Sequence, residues 1–305
     1  MKKLFLSAIA LMALVACNSD TESSTPVENN EAQSTAPVTV QFNDFSITTE
    51  EMSSGGATKR AAENPADYKG VGAMTLAFYD INGKEVYKTT QIYTNSSTYT
   101  TFGSFTADLQ VGTYTMVALG YYYNAEDVFT LTSPTEAAFS SERPRETFCK
   151  TQTVTVTSAA PLNLSVTLNR IVSALNILST DNRPASAAKL RTTFSKGGKS
   201  FNPTTGLALT DAGFAQTNNP GGSSTIDVTC FPFLTSADNE EEVMNVTIEV
   251  LDADSNVLSS HTIENVPFMR NRKTTVRGAI YSADASSAGF QLETSWLPAS
   301  DDITF

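Results

Sequence analysis

Leu162-Asn163-Leu164-Ser165-Val166-Thr167-Leu168 alternates apolar and polar residues without a fault. A period of two is what a strand needs to bury one face and wet the other, and no helical spacing fits the same residues. The pattern recurs on both sides. Upstream lie Val38-Thr39-Val40-Gln41-Phe42, Gly103 to Asp108, Thr113 to Leu119 and Thr153 to Thr157, the last alternating valine with threonine. Downstream follow Ile171 to Leu178, Leu190 to Phe194, Thr225 to Phe233, Met244 to Val250, Val257 to Val266, Thr274 to Tyr281 and Phe290 to Trp296. Asn82-Gly83 between Met74–Asp80 and Lys84–Thr89 predicts a hairpin with a type I′ turn. Asp252 to Asn256 predicts another. Many short alternating strands with turns between them predict an all-β fold of sandwiches, with two domains, 38–168 and 169–305, meeting near Asn169 and separable there by protease.

The start of the chain is of a different kind. Lys2 and Lys3 precede an apolar run, Leu4 to Val15, which is too short to span a bilayer and ends in Leu14-Val15-Ala16-Cys17. A positive start, an apolar core and a small-residue cleavage site make residues 1–16 an export signal. Cysteine at that point reads as a lipobox, with Cys17 becoming the lipid-bearing first residue of the mature chain. No aspartate follows Cys17 directly, which argues against retention at the inner membrane and for the outer membrane and cell surface. Residues 17–37 are Ser, Thr, Glu, Asn and Pro with little that is apolar, and read as a lipidated tether.

Composition narrows the function. The formal charge is −12, and −14 once Lys2 and Lys3 leave with the signal. So acidic a chain repels nucleic acid, which is excluded as a partner, and anionic lipid surfaces. The only histidine, His261, sits in an expected strand as a surface or half-buried residue. No Gly-x-Ser-x-Gly elbow is present, and neither Cys149 nor Cys230 lies in a nucleophile motif. One His and two scattered Cys cannot supply a tetrahedral metal site, and the two thiols are expected to be buried and free. Asp252-Ala253-Asp254-Ser255-Asn256 imitates a calcium loop but has Val257 and Ile263 where Gly and Glu are required. No catalytic residue, metal or cofactor is therefore expected, and the chain reads as non-enzymatic. Tyr121-Tyr122-Tyr123 and Trp296 leave open a different class, a surface glycan-binding lipoprotein with aromatic stacking faces.

Two longer stretches resemble the fimbrillins, the subunits of type V pili and their anchor and tip relatives. Leu168-Asn169-Arg170-Ile171-Val172-Ser173-Ala174-Leu175-Asn176-Ile177 is similar to the segment joining that family's two domains. Val266-Pro267-Phe268-Met269-Arg270-Asn271-Arg272-Lys273-Thr274-Thr275-Val276-Arg277-Gly278 resembles a late stretch of the same family. Phe42-Asn43-Asp44-Phe45, Leu76 to Lys84 and Gly112-Thr113-Tyr114 fit its earlier parts, as does the lipobox. The resemblance implies two tandem transthyretin-like Greek-key β-sandwiches of seven strands. It implies export as a lipoprotein, partnership with outer-membrane lipid through Cys17, and partnership with other fimbrial subunits through strand exchange in support of adhesion to host or bacterial surface ligands. It further implies proteolytic processing between Arg60 and Ala61, in a small-residue loop from Ser53 to Ala62, which would release a first strand containing Val38, Val40 and Phe42.

The lipobox generates a direct prediction. Cys17→Ala abolishes incorporation of labelled fatty acid and moves the protein out of the outer-membrane fraction; unchanged labelling would refute lipidation at Cys17.

Overall fold

A computed structural model describes residues 34–49, 59–63, 68, 70–141, 143–220, 226–283 and 289–296. The export signal, Cys17 and most of the tether lie outside the described residues. Ser34 to Phe305 form one compact unit. It is all β, with one short 3-10 turn, Ser96–Thr98, among the described residues.

The first sandwich has a three-stranded layer of β1 (Thr35–Thr49), β5 (Ser104–Gln110) and β10 (Leu162–Arg170). Its second layer runs β4 (Glu85–Ile92), β3 (Ala73–Tyr79), β6 (Gly112–Tyr121), β9 (Thr147–Val156), and is joined to the first as one continuous sheet where Asn169 and Arg170 of β10 pair with Cys149 and Phe148 of β9. A further strand, β2 (Lys59–Glu63), pairs with the far end of β1. The alternation read from the sequence places Val38, Val40, Phe42, Leu76, Phe78, Phe105, Met116, Val154 and Val166 together in one core. Strand β1 begins at Thr35, with Ala36 fully buried, so the last residues assigned to the tether belong to the sheet. The Asn82-Gly83 hairpin forms, but only Gly83 has positive φ (77°), whereas a type I′ turn needs it at both central residues. Instead the Asp80 carboxylate accepts the amides of Asn82 and Lys84 (2.8 and 2.9 Å), and Gly83 N donates to Asp80 O.

The second sandwich repeats the strand order. Its layers are β16 (Asp227–Cys230), β11 (Ala174–Ser179), β19 (Arg272–Gly278), β20 (Gln291–Trp296), and β15 (Phe214–Asn218), β12 (Lys189–Phe194), β17 (Glu242–Leu251), β18 (Val257–Phe268). In each sandwich the first strand lies parallel to a late one, β1 beside β10 and β11 beside β19. The turn Asp252–Asn256 copies the first hairpin, with Ser255 taking the positive φ (70°) that Gly83 takes there. His261 is fully buried, not half-exposed, with Nε2 3.1 Å from Ile280 O.

What joins the two sandwiches left no mark in the strand reading. Strands β7 (Phe129–Ser133) and β8 (Glu136–Phe139) from the first half and β13 (Ser200–Asn202) and β14 (Leu207–Ala208) from the second form one sheet, β14-β13-β8-β7. Beneath it a third core gathers Tyr79, Tyr121, Leu131 and Phe139 with Val172, Phe201 and Phe233. The connection at Ile171, Val172 and Ser173 is buried, and the strand expected to start at Ile171 starts at Ala174. The boundary near Asn169 is therefore not a linker that a protease can reach. Cys149 and Cys230 are both buried and free, as expected.

One charged cluster sits at this junction. Arg170, at the end of β10, forms an ion pair with Glu146 at 2.8 Å, and both side chains are wholly buried. Tyr68 donates to Glu146 (2.5 Å) and accepts from Arg170 (2.7 Å), and Arg170 also donates to Asn271 Oδ1 at 2.8 Å. Burial, and then the Glu146 charge, push the Tyr68 hydroxyl well above its usual range, so it remains a donor. Gly70 is required beside it, because a Cβ there would collide with Glu146 Oε2 and the Tyr68 ring. Asn271 holds a positive φ (59°) and donates its amide to Val172 O. The two stretches that resemble fimbrillins thus meet in space through Arg170 and Asn271.

Two predictions follow from the junction. Phe201→Ala, which empties the shared core 4.6 Å from the Phe233 ring, lowers stability by about 3–5 kcal/mol while unfolding stays a single transition by circular dichroism and tyrosine fluorescence. Two separated transitions would show that the sandwiches fold apart. Glu146→Gln strands the Arg170 charge and costs about 3–5 kcal/mol, more than the double change Glu146→Gln with Arg170→Met; equal losses in single and double variants would contradict this.

Candidate functional site: the inserted first strand

The residues singled out for processing and strand release converge on β1. From Val38 to Gln41 this strand is paired on both sides, parallel to β10 (Val38↔Leu162, Val40↔Leu164) and antiparallel to β5 (Val38↔Ala107, Val40↔Phe105). It is the middle strand of its layer. Ala36, Val38, Val40 and Phe42 are at most 1 % exposed, while Pro37, Thr39 and Gln41 between them are half-buried.

The floor of the slot is shaped for Phe42. Gly103 adopts φ 86°, and a Cβ on it would press on Met74 Sδ (3.3 Å) and Phe42 Cβ (3.4 Å). Its carbonyl accepts the Phe42 amide at 2.8 Å, and its own amide donates to Gln91 Oε1 at 2.8 Å. Gln91 also donates to Ser104 O (2.6 Å), which ties β4 to the start of β5. The Phe42 and Phe105 rings lie 4.9 Å apart. Taking β1 away would leave backbone donors and acceptors of β5 and β10 unpaired along an apolar trough.

Beyond a bulge between Phe42 and Asp44, β1 continues alongside β10 to Ser46 and pairs with β2. Here the structure corrects the sequence reading. Arg60 and Ala61, expected in an exposed loop, are strand residues opposite Thr48 and Ile47. The extension of β1 past the bulge offers a free edge, and the returning chain adds to it. A protease must peel β2 off before it meets the Arg60–Ala61 bond in the extended, unpaired form it needs.

The three tyrosines of the run differ in exposure. Tyr121 is buried against Phe129 (4.1 Å, stacked), Tyr122 is half-buried with Arg145 over its ring at 5.2 Å, and Tyr123 is exposed. Among the described residues no group of three or more His, Cys, Asp or Glu is placed to hold a metal. No helix among them is long and apolar enough to cross a membrane.

The sequence reading missed the buried set Tyr68, Glu146 and Arg170 altogether. Gly70 beside Tyr68 was the available signal, and it points to a partner only once Glu146 is placed by the fold.

No curated protein matches the sequence. Among solved structures, the chain is similar to a candidate adhesin from Bacteroides ovatus, at a TM-score of 0.49 and 11% identity, covering 83% of this chain and 88% of that one. It is similar to a candidate polysaccharide-binding protein from Bacteroides thetaiotaomicron, at a TM-score of 0.49 and 11% identity over 84% and 97% of the two chains. The fimbrial anchor protein Mfa2 from Porphyromonas gingivalis scores 0.44 at 11% identity over 80% and 90%. No residue role is carried over from any of them. A family model, described as a family of unknown function (DUF6562), matches residues 34–288, and the chain belongs to that family.

Proposed function

We propose that the chain is a subunit of a cell-surface fimbrium, exported as a lipoprotein through Cys17 and joined to its neighbours by strand exchange in support of adhesion. The observation that supports this reading is the position of β1, a middle strand whose apolar side chains fill a slot and whose two edges need partners. Release of residues up to Arg60 takes β1 away, and a strand from a neighbouring subunit can restore both edges and the apolar face. Each buried Val or Phe on the incoming strand contributes roughly 1.5–3 kcal/mol, so refilling favours assembly by several kcal/mol. The contact is heterologous and does not close on itself, which gives a filament. Nothing in this reading requires catalysis.

The pairing of Arg60 within β2 supports a second reading, an uncut member that keeps lipid and first strand and serves as an anchor. Sequencing the N-terminus of surface-sheared material separates the two. The shaft reading expects assembled protein that begins at Ala61, heat-labile ladders on denaturing gels, and accumulation of lipidated monomer for Arg60→Ala. Assembled protein that begins at Cys17 would replace the shaft with the anchor. A single band with a measurable sugar affinity would replace both with a glycan-binding lipoprotein.

A further inference from the structure

Strand β1 is the first element of the compact unit, so a pull arriving along the chain ahead of Ser34 reaches the molecule through it. Register fixes where that pull enters and where it leaves. Thr35 lies opposite Gln110, and Ser34 O accepts the Val111 amide at 3.2 Å, so β1 starts at the end of the sandwich where β5 turns into β6. The Asp80–Lys84 turn shares that end, because Tyr79 pairs with Thr115 near the start of β6. The links to the second sandwich lie at the opposite end. Strand β10 runs parallel to β1 and finishes there at Arg170, in the buried ion pair, and Ile171 N donates to Thr147 O at the start of β9. The shared-sheet strands β7 and β8 also leave from that end, between Tyr121 and Thr147.

A load applied ahead of Ser34 and resisted by the second sandwich therefore draws β1 lengthwise against its neighbours. Eight residues of β1 have partners on β10 and seven on β5. Drawn lengthwise, these pairs are strained together, and many backbone bonds have to fail at once. Drawn sideways from one end, the same pairs fail one after another, and each alone is weak. The barrier that governs forced unfolding is higher in the first case. One escape from such a load is slippage, since a shift of two residues returns every side chain to its own face. Here that escape is blocked. Moving β1 two residues toward its start would push Phe42 into the place of Val40, opposite Phe105, and carry Asp44 into the place of Phe42 over Gly103 and Met74. A phenyl ring overfills a valine seat in a packed core, and a carboxylate among apolar side chains is costly.

We propose that β1 is a shear clamp, the strand that carries mechanical load from the N-terminal side of the chain into the body formed by both sandwiches. The clamp requires only a chain that keeps β1, and needs neither strand exchange nor lipidation.

The test is single-molecule pulling of the full chain with Cys17→Ala, held by a tag at its N-terminus and by one introduced thiol. Cys149 and Cys230 are buried, so the second handle reacts at the new thiol. Val257→Cys, at an exposed turn of the second sandwich, draws β1 lengthwise. Ile81→Cys, 87% exposed on the hairpin at the same end as Thr35, draws it off sideways from its first residue. At one loading rate, the first rupture through Val257 is expected to need at least about twice the force of that through Ile81, because many bonds must be lost together. Phe42→Ala, which frees the slide, is expected to lower the Val257 rupture force toward the Ile81 value. Equal forces in the two geometries, or a lower force through Val257, would overturn the proposal. So would a Val257 rupture force that Phe42→Ala leaves unchanged. If Phe42→Ala does not fold, the comparison of the two handles on an otherwise unchanged chain still decides.

Discussion

A sheet layer cannot do without its middle strand. In the first sandwich that strand is β1, and both β5 and β10 rely on it for backbone partners while the core relies on it for Val38, Val40 and Phe42. Edge strands can end a sheet against water, but two edges facing each other over an apolar trough cannot. Whatever occupies the β1 position must be extended, must alternate apolar with polar residues, and must seat an apolar side chain such as Phe42 over Gly103. Those requirements are met by a backbone pattern more than by particular side chains.

The second sandwich shows the same arrangement under a different constraint. Strand β11 lies between β16 and β19 as β1 lies between β5 and β10, with Leu175 and Ile177 fully buried. It enters its sheet directly from the buried connection Ile171–Ser173, beside the Arg170–Glu146 pair, so it has no freedom to leave. Ser34, ahead of β1, and Thr35, its first residue, are exposed. The shared sheet of β7, β8, β13 and β14, together with the buried ion pair, makes the two sandwiches one body. The sheet that holds β1 thus belongs to a body that is also tied together elsewhere.

Much of the sandwich pair was legible in the sequence because burial of one sheet face writes itself as a period of two. Thr39 between Val38 and Val40, and Asn163 between Leu162 and Leu164, are such traces. The strands that escaped are the short ones whose faces meet a second domain or a sheet edge. Glu136-Ala137-Ala138-Phe139 and Ser200-Phe201-Asn202 are too short for a period and carry one large apolar residue each. Arg60 escaped for a related reason: Gly55, Gly56 and Ala57 signal a turn, yet the edge left by the extended β1 captures the residues that follow. The Arg170–Glu146–Tyr68 cluster could not be read at all, since its members are 24 or more positions apart and only the fold brings them together. The turn at Asn82-Gly83 was placed correctly and typed wrongly, because the Asp80 carboxylate stabilises a competing arrangement of the same residues.

The claim on which this account turns is that the β1 slot accepts a strand supplied in trans. The direct measurement is thermal unfolding of a chain that begins at Ala61, alone and with a synthetic peptide spanning Thr35 to Thr49. The account predicts that the shortened chain is destabilised by several kcal/mol and regains cooperative unfolding with added peptide, and that a peptide with Val40 and Phe42 changed to Asp does not rescue it. A shortened chain as stable as the intact one and indifferent to the peptide would contradict the account.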